Sequence, residues 1–440
     1  MSAVPIEAGL PAADIQERTL RKVSIRLLPL LAVGYGIAYM DRVNVGFAAL
    51  QMNAELKLSA SAYAFGAGIF FLSYALAEVP SNLLLVRFGA RRWLARIMAT
   101  WGLLAMGMMF VRTPTQFYVM RFLLGAAEAG FFPGVVLYLS YWYPPAYRGR
   151  AIARFYVASP LAAVVMGGIA APLLALQGVW GLSGWQWLFL IEGSPAVILS
   201  VLVFFVLPDS PQDARWLSDA ERRAIVPHAS GVARHHGVWQ TLGSLRDRRV
   251  LLYGIANLCL QGSINTAALL GPLVLRERTG YATATLGLVT AMAYLGSAGA
   301  QLVNGWHSDT RRERLFHAVV PILVAMGAWI LMATTGSPRL TTAGYMLQVV
   351  ATGAAVVALW FLPAEEFSGG LGQVGVAAVG SVGMLGAFAA PYLFGVVRDL
   401  TGGYTAGLWI TSGLLALSAA VLVISRAQRR QATSRATGHG

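Results

Sequence analysis

The sequence predicts an all-α integral membrane protein with twelve transmembrane helices in two pseudo-symmetric six-helix bundles. Hydrophobic residues make up 57% of the 440 residues and charged residues only 12%, whereas soluble domains carry about 25% charged residues. A helix needs about 20 apolar residues to cross the hydrocarbon core of a bilayer. Stretches of that kind, called spans 1 to 12 here, lie near residues 25–50, 60–85, 93–111, 116–142, 151–176, 187–207, 250–274, 282–305, 316–335, 341–366, 374–397 and 404–424.

The positive charges concentrate on one side of the predicted membrane. Arg and Lys number 23 in the segments on the side of both termini and 6 in the segments on the opposite side. Such a bias is typical of cytoplasmic segments, so we expect both termini in the cytoplasm. It also accounts for the net charge of +14, and we therefore expect no nucleic-acid partner.

A polar stretch divides the spans six and six. We expect cytoplasmic tails at 1–24 and 425–440, six-helix bundles at 25–207 and 250–424, and an inter-bundle loop at 208–249 with a short helix at 218–225. His235 and His236 in this loop could form a metal pair. A solvated loop is the simpler interpretation, because no Cys and no third ligand lie nearby in the sequence.

The sequence carries no motif of an enzyme or of a cofactor site. It has no phosphate-binding GxxxxGK[ST] loop, no HExxH and no CxxC pair. We expect no enzymatic activity, cofactor or metal, so either a gradient supplies the energy for transport or the chain is a passive facilitator. Cys259 is the single Cys and cannot form a disulfide within the chain. The first 24 residues lack the apolar region of a cleaved signal peptide, so we expect the first span to direct membrane targeting.

Ionisable residues occur where the membrane core is expected. Asp41 and Arg42 lie within span 1, and Arg121 and Glu128 lie within span 4. A charged side chain costs about 2.5–3.5 kcal/mol at the membrane centre on insertion scales, and such residues face a bundle interior or a wet cavity. Two spans that each hold one acid and one base predict a path through the bilayer for a charged solute.

The neighbours of Arg42 in span 1 predict an anion site. Tyr35, Tyr39 and Arg42 follow i, i+4, i+7 spacing and share one helix face. A guanidinium with phenol donors suits a carboxylate. Asp41 points about 100° away, with Asn44 three residues further on. Because burial disfavours the charged form of a carboxyl group, Asp41 could carry a proton; an internal Asp41–Arg pair is the alternative.

The pair in span 4 predicts a proton carrier. Arg121 and Glu128 lie two turns apart on one face, about 10 Å along the helix axis. We predict that Glu128 carries the coupling proton, with a salt bridge to Arg42 or Arg121 as the alternative role. The two roles are compatible if the carboxylate pairs with Arg in the empty site and is protonated when an anion binds.

The second half carries polar stripes on apolar helices. They consist of Asn257, Gln261 and Asn265 in span 7 and of Tyr294, Ser297 and Gln301 in span 8. Interhelical hydrogen bonds and a cavity lining remain the two interpretations, and three amides in a row favour the lining. Glu365 and Glu366 at the end of span 10 are solvated or face the cavity. We expect structural pairing for Glu78 and Glu192.

Two Arg-rich turns connect corresponding spans of the halves. Arg87-Phe-Gly89-Ala-Arg91-Arg92 lies between spans 2 and 3, and Gly305-Trp-His-Ser308-Asp309-Thr-Arg311-Arg312 lies between spans 8 and 9. Repeated six-helix halves are a transporter architecture with the binding site between the halves. We predict that Arg91, Arg92, Asp309 and Arg312 take part in the conformational change.

These motifs resemble a known family. Tyr35-x3-Tyr39-Met-Asp41-Arg42-Val-Asn44-x-Gly46-x-Ala48 is similar to the first-helix signature of the anion:cation symporter branch of the major facilitator superfamily. Further matches are Arg121-Phe-x2-Gly125-x2-Glu128-Ala-Gly130-Phe-x-Pro133-Gly134, Trp187-Leu-Phe-x-Ile-Glu192-Gly193 and Leu207-Pro208-Asp209-x-Pro211. The likeness is strong through about residue 217 and looks closest to bacterial tartrate, phthalate and hydroxyphenylacetate permeases.

The resemblance implies proton-coupled uptake of a small organic carboxylate across the bacterial inner membrane. In such families the acids at the positions of Asp41 and Glu128 take part in proton coupling, and the arginines at the positions of Arg42 and Arg121 serve the substrate carboxylate and the gating pairs. We expect a monomer whose partners are the carboxylate, protons and the lipid bilayer. The full set of predicted substrate-binding residues is Tyr35, Tyr39, Arg42, Asn44, Arg121, Asn257, Gln261, Asn265 and Tyr294.

The second half departs from the family pattern. Gly380 and Met384 stand where sugar-acid members often have Asn, and Glu365-Glu366 follow the proline of span 10 where neutral residues are usual. We therefore expect the C-terminal wall of the site to differ, which leaves the particular carboxylate open. The alternatives are a drug or cation exporter of the same fold, which Glu365-Glu366 would support best, and a non-transporting membrane sensor.

Overall fold

The computed structural model describes residues 12–225, 243–367 and 372–437, and the described chain is helical. The predicted His235–His236 pair lies outside these residues. In the first half the α-helices are Ala12–Glu55, Ala60–Phe88, Ala90–Gly107, Pro114–Glu128, Phe131–Trp142, Pro145–Tyr156, Ala158–Leu174, Gly184–Val206 and Asp219–Ile225. In the second half they are Arg248–Thr279, Thr283–Arg311, Leu315–Thr334, Pro338–Glu366, Gly372–Thr401 and Thr405–Thr437. Short 3₁₀ turns cover Met108–Phe110, Val179–Gly181 and Pro211–Asp213.

Twelve helical segments in the described residues are long and apolar enough to cross a membrane, as predicted. Nine are single α-helices, and span 3 ends in the 3₁₀ turn Met108–Phe110. Span 4 is interrupted after Glu128 and span 5 at Val157. The helices of spans 1 and 12 are longer than predicted, because they begin at Ala12 and end at Thr437. Much of each predicted tail within the described range is thus a helical extension of its span.

The two halves contact each other at one end of the molecule. We call this end the far side; the opposite end, where the inter-bundle loop begins and ends, is the terminus side. The Tyr63 hydroxyl donates to the Val45 carbonyl at 3.1 Å and lies 2.8 Å from the Leu269 carbonyl of the other half. The Asp399 carboxylate accepts hydrogen bonds from the backbone N–H groups of Ala60 and Ser61, at the N-terminus of span 2.

Glycines permit the closest approach between the halves on the far side. Gly287 of span 8 lies directly on the backbone of Gly167 in span 5, and a Cβ added to Gly287 would collide with the Gly167 carbonyl. A Cβ on Gly46 of span 1 would lie 2.6 Å from the Ala268 carbonyl of span 7. Since real Cβ atoms do not approach that closely, larger side chains at these positions are incompatible with this arrangement.

The start of the inter-bundle loop is fixed to the first half. The helix Asp219–Ile225, close to the predicted range, packs on span 1. The Lys22 ammonium donates to the Glu221 carboxylate at 2.8 Å, and the Trp216 ring stacks on Trp142 with a centroid distance of 5.8 Å. The guanidinium of Arg26 also lies over the Trp216 ring, 4.7 Å from its centre.

We expect Lys22→Ala to loosen this attachment in a pH-dependent way. Burial alone would raise the pKa of Glu221, but hydrogen bonds from Lys22 and from the Ser218 backbone outweigh it, so the pKa is lowered. An acid with a lowered pKa contributes stability above its ordinary pKa, and loses it as the pH falls through the folded value. The contribution of a partly exposed pair is about 0.2–1 kcal/mol.

Limited proteolysis of the loop measures this effect. Lys22→Ala should be cleaved several-fold faster than the wild type at pH 7, and the two proteins should converge in acid, where Glu221 is protonated. Arg223→Ala, which removes an exposed charge from the same helix, is the matched control. Equal cleavage of Lys22→Ala and wild type at pH 7 would show that the ion pair does not hold the loop.

Candidate functional site

The break in span 4 lies directly beside its acid. The helix that begins at Pro114 ends at Glu128, and the next helix begins at Phe131. Gly130 between them has a φ of +88°, and a Cβ there would collide with the Ser81 side chain of span 2. Only glycine combines this backbone conformation with such a close contact. The sequence predicted one continuous span, so this interruption is a feature that only the structure shows.

Glu128 and Arg42 form a buried ion pair between spans 4 and 1. The Glu128 Oε1 atom accepts from Arg42 Nη2 at 2.5 Å and from Arg42 Nε at 2.9 Å. The Glu128 side chain is fully buried, whereas the Arg42 side chain is 15% exposed. The Arg42 guanidinium also lies 4.9 Å from the Tyr74 ring. In this pair the carboxylate of Glu128 is shielded from solvent, whereas the guanidinium of Arg42 keeps one accessible edge, which we call its open edge.

Arg121 lies near this pair without an ion pair of its own among the described residues. Its side chain is fully buried, and Nη2 donates to the Ala67 carbonyl at 3.2 Å. The Phe70 ring lies 4.7 Å from the Arg121 guanidinium and 5.8 Å from that of Arg42. Aromatic faces attract cations most strongly where water is excluded. Span 2 thus supplies aromatic neighbours to both arginines that sequence spacing did not reveal.

Asp41 is buried in the interior of the first half and makes no hydrogen bond to the Arg42–Glu128 pair in the described structure. Its side chain is 1% exposed, and the Asn44 amide donates to Asp41 Oδ1 at 3.3 Å. The second oxygen, Oδ2, has no hydrogen-bond partner among the described residues. Arg121 and Glu128 are the charged groups that act on Asp41 electrostatically. A direct Asp41–Arg ion pair, the alternative from the sequence, is not present in the described structure.

The two tyrosines predicted beside Arg42 differ in environment. Tyr35 is buried in an aromatic cluster, with its ring centroid 4.7 Å from that of Phe155 and 5.2 Å from that of Phe132. Tyr39, one turn closer to Arg42, is half-buried. Both act electrostatically with Arg42. Tyr39 is therefore the better placed of the two to contact a solute, and Tyr35 supports the packing.

In the second half the polar stripe of span 7 divides into two kinds of residue. Asn257 is fully buried and donates to the Val379 carbonyl of span 11 at 3.0 Å, so it joins two helices. Gln261 and Asn265 are half-buried, and the Asn265 amide donates to the Gln261 carbonyl. Tyr294 of span 8 is buried. The interhelical interpretation thus fits Asn257, and a cavity lining remains compatible with Gln261 and Asn265.

The Arg-rich turns make ion pairs within each half. The Arg91 backbone N–H donates to Asp209 at 2.8 Å, and its side chain lies 3.7 Å from the same carboxylate. Asp309 pairs with Arg314 at 2.6 Å, and Arg314 also contacts Glu365 at 3.0 Å.

The other two arginines predicted to take part in the conformational change make no ion pair in the described structure. Arg92 and Arg312 are exposed, and Arg312 ends its helix with a φ of +51°. The Asp309 partner is thus Arg314, which the sequence analysis did not select. Glu366 accepts from the Tyr253 hydroxyl at 2.6 Å. Glu192, for which we expected structural pairing, makes no ion pair in the described structure.

Twelve spans around a buried ion pair are typical of a multi-pass membrane transporter. The chain belongs to the Major Facilitator Superfamily, whose family model matches residues 31–391. A "Putative tartrate transporter" of Agrobacterium vitis is 40% identical over 420 residues, which are 94% of this chain and 96% of that protein. A "Quinolone resistance transporter" of Acinetobacter baumannii is 36% identical over 91% of this chain and 93% of that one.

The fold matches solved transporters of low sequence identity. The crystal structure of a bacterial homolog of the human lysosomal transporter Spinster superposes with a TM-score of 0.76. The match covers 93% of this chain and 97% of that one at 15% identity. The predicted family, the twelve-span fold and the absence of an enzymatic role are confirmed.

Proposed function

We propose that the protein takes up a small organic carboxylate together with protons across the bacterial inner membrane, with both termini in the cytoplasm. The observation that carries this proposal is the Arg42–Glu128 pair. A cation with one open edge is held by a fully buried acid. An incoming carboxylate can bind that edge of Arg42, and a proton can neutralise the acid that Arg42 leaves. Cargo and proton are coupled because both compete for one ion pair.

The energetic reason for coupling is the cost of unpaired buried charge. If an anion displaced Glu128 from Arg42 while Glu128 stayed ionised, a buried carboxylate would lose its cation, which costs about 3–5 kcal/mol. Protonation of Glu128 removes that cost. For a cargo with one carboxylate group, the complex of Arg42, bound carboxylate and neutral Glu128 has the same net charge as the empty pair. The loaded and the empty protein therefore change between the inward-facing and outward-facing arrangements with the same net charge in the interior.

The sidedness follows from the charge bias of the sequence. If the Arg- and Lys-rich terminus side is cytoplasmic, the contacts on the far side close the periplasmic entrance. The described arrangement is then the inward-facing one, from which cargo is released. A return to the outward-facing arrangement requires the Gly287–Gly167 contact to separate. Binding shifts this equilibrium only through different affinities for the two arrangements.

The residues of the second half favour a cargo with further polar groups. Half-buried Gln261 and Asn265 provide amide groups that suit hydroxyl or carbonyl oxygens, and the "tartrate" in the name of the Agrobacterium relative agrees with a hydroxy acid. At Gly380 an added Cβ would meet the tip of the Trp360 ring at 3.4 Å. The indole thus lies in contact distance of the position where relatives often have Asn, which also leaves an aromatic acid open as the cargo.

Export is the second candidate, because the Acinetobacter relative is named for quinolone resistance. Glu365 and Glu366 were the residues that would best support an exporter, because a free acid in the cavity could bind a cation. Their contacts weaken that support. Glu365 is paired with Arg314, and Glu366 with Tyr253. The two arginines of the first half instead suit an anionic group.

Counterflow in proteoliposomes tests the proposal. Vesicles with purified protein would be loaded with one unlabelled carboxylate, such as tartrate or benzoate, and diluted into the labelled compound. We expect transient accumulation of a carboxylate that other carboxylates inhibit. Movement of a quinolone or an organic cation without movement of any carboxylate would refute the proposal in favour of export.

A further inference from the structure

The chain between Glu78 and Glu128 carries arginines without acids. It contains no Asp or Glu, and its cations are Arg87, Arg91, Arg92, Arg96, Arg112 and Arg121. The first four of these lie around one turn on the terminus side, where the helix of span 2 ends at Phe88 and that of span 3 begins at Ala90. Their counter-charge must therefore come from another part of the protein or from the membrane.

The acid that packs on this turn is already in use. Asp209 accepts a hydrogen bond from the Arg91 backbone N–H at 2.8 Å, and the Arg91 side chain lies 3.7 Å from the same carboxylate. Arg87, Arg92 and Arg96 make no ion pair in the part of the chain that the structure describes. Three guanidiniums at this end of spans 2 and 3 are thus left without a protein acid.

Arg92 and Arg96 share one face of span 3. Their i, i+4 spacing makes them neighbours on the helix surface, where two like charges repel. Leu103, two turns beyond Arg96 on the same face, is exposed. Arg96 lies about 9 Å along the axis from the start of the helix at Ala90. Since an arginine near a helix end extends its charged group toward the interface, both guanidiniums can bind one anion there.

Aromatic rings hold Arg96 in position. Its guanidinium lies over the Trp93 ring, 3.8 Å from the ring centre, and its Nε has no hydrogen-bond partner among the described residues. The Trp93 ring stacks on Phe88 with a centroid distance of 5.7 Å, and its Nε1 donates to the Ser81 hydroxyl of span 2 at 3.1 Å. The Arg87 guanidinium lies 5.5 Å from the centre of the Phe88 ring. A continuous row of contacts therefore joins Arg87 to Arg96.

The surroundings of this row are apolar and exposed. Leu83, Val86 and Phe88 of span 2 and Leu103 of span 3 are exposed in the described structure, so in a membrane they contact acyl chains, which are as apolar as Leu. A tryptophan is typical of the level of the lipid headgroups. Guanidinium groups bind phosphate through paired hydrogen bonds and stack on aromatic rings. A ligand that carries both a phosphate and acyl chains fits this combination.

We propose that Arg87, Phe88, Arg92, Trp93 and Arg96, called the arginine patch here, bind one anionic phospholipid. The phosphodiester of the lipid lies between Arg92 and Arg96, and its acyl chains follow Leu103. A zwitterionic lipid has the same phosphodiester, but its own cation offsets the attraction, so the unpaired guanidiniums favour a lipid with net negative charge. The inference concerns the surface that faces the lipid and does not depend on the cargo or on proton coupling.

Native mass spectrometry of the purified protein in detergent tests the arginine patch. The protein would be titrated with phosphatidylglycerol or with phosphatidylcholine. We expect the first phosphatidylglycerol to bind at least tenfold more tightly than the first phosphatidylcholine. Each arginine near an anionic lipid contributes about a fivefold increase in affinity. Arg96→Gln should thus weaken phosphatidylglycerol binding about fivefold, and the double variant Arg92→Gln with Arg96→Gln about 25-fold.

Two variants separate the patch from charge in general. Arg112→Gln removes an exposed arginine beyond the far-side end of the same span, and its affinity for phosphatidylglycerol should match the wild type. Arg96→Lys keeps the charge but loses the planar guanidinium that pairs with phosphate and stacks on Trp93, so its affinity should lie between those of the wild type and Arg96→Gln.

A second measurement needs no arginine variant. In vesicles with a lipid brominated on its acyl chains, the fluorescence that Trp93→Phe removes should be quenched more by brominated phosphatidylglycerol than by the same content of brominated phosphatidylcholine. Equal quenching by the two lipids would overturn the inference. Wild-type affinity for phosphatidylglycerol in the double variant would also overturn it. Displacement of the lipid by an equal concentration of inorganic phosphate would show a site for free anions, and the assignment to a lipid would be wrong.

Discussion

Glu128→Gln should abolish pH-driven accumulation of the carboxylate while leaving its exchange near the wild-type rate. The substituted amide can still accept a hydrogen bond from Arg42, but it can neither be ionised nor take a proton. The anion then competes for Arg42 without an accompanying proton. Each coupled proton permits about tenfold accumulation per unit of pH gradient. With this coupling removed, the gradient should no longer drive concentration of the cargo.

Counterflow and pH-jump uptake in the same proteoliposomes separate the two effects. Counterflow reports binding and the conformational change, whereas uptake after a pH jump reports coupling. Glu277→Gln is a suitable control, because Glu277 is a partly exposed acid paired with Arg398 at the far end of span 7. Full pH-driven accumulation by Glu128→Gln would falsify the role assigned to Glu128.

Gly287→Val should hold the far side open and reduce net uptake by about tenfold or more. A side chain at Gly287 collides with the Gly167 carbonyl only while spans 5 and 8 are in contact. Overpacking of this kind costs about 1–3 kcal/mol, which corresponds to a roughly 5–150-fold shift between two arrangements. The cost falls on the closed far side and is absent once the halves separate there.

Cysteine labelling measures this shift. A Cys introduced by Ala268→Cys, at a buried position of span 7 in the far-side contact, should react faster with a membrane-impermeant maleimide when Gly287→Val is present. Cys259 would be replaced by Ser to remove background. Gly299→Val is the matched control, since a Cβ at Gly299 on the same helix meets nothing within 4 Å. Equal labelling in Gly287→Val and Gly299→Val would contradict the far-side closure described here.

Features that depend on local composition were predictable from the sequence. Span number follows from apolar length, so the twelve spans agree with the structure. The depth of Asp41, Arg42, Arg121 and Glu128 in their helices marked them as buried, and all are buried or nearly so. The Arg42–Glu128 ion pair was one of two interpretations, because both residues occur near the middle of their spans.

Features that depend on which helices meet were not predictable. Phe70 and Tyr74 lie beside the arginines because span 2 packs on span 4, and nothing in the sequence of span 2 specifies that contact. The break after Glu128 requires Gly130 to lie against Ser81 from another span. Arg314 rather than Arg312 pairs with Asp309, because the helix ends at Arg312 with a change of direction.

The surroundings of Glu192 are a further feature that the sequence did not predict. As a single acid in an apolar helix it gave no periodic signal, and structural pairing was the expectation. Its relation to Asp41 and Asn44 depends on the close packing of spans 1, 3 and 6. Glu192 is far from the other two residues in sequence and lies on a different helix, so sequence spacing could not reveal that their spans pack together.

Proton movement during carboxylate uptake tests the central claim most directly. Proteoliposomes would enclose a pH-sensitive dye, with the membrane potential clamped, and a transported carboxylate would be added outside without an imposed pH gradient. If buried acids carry protons together with the cargo, the lumen should become more acidic in step with uptake. This acidification should be absent in Glu128→Gln. Entry of the carboxylate with no change in lumen pH would contradict the account.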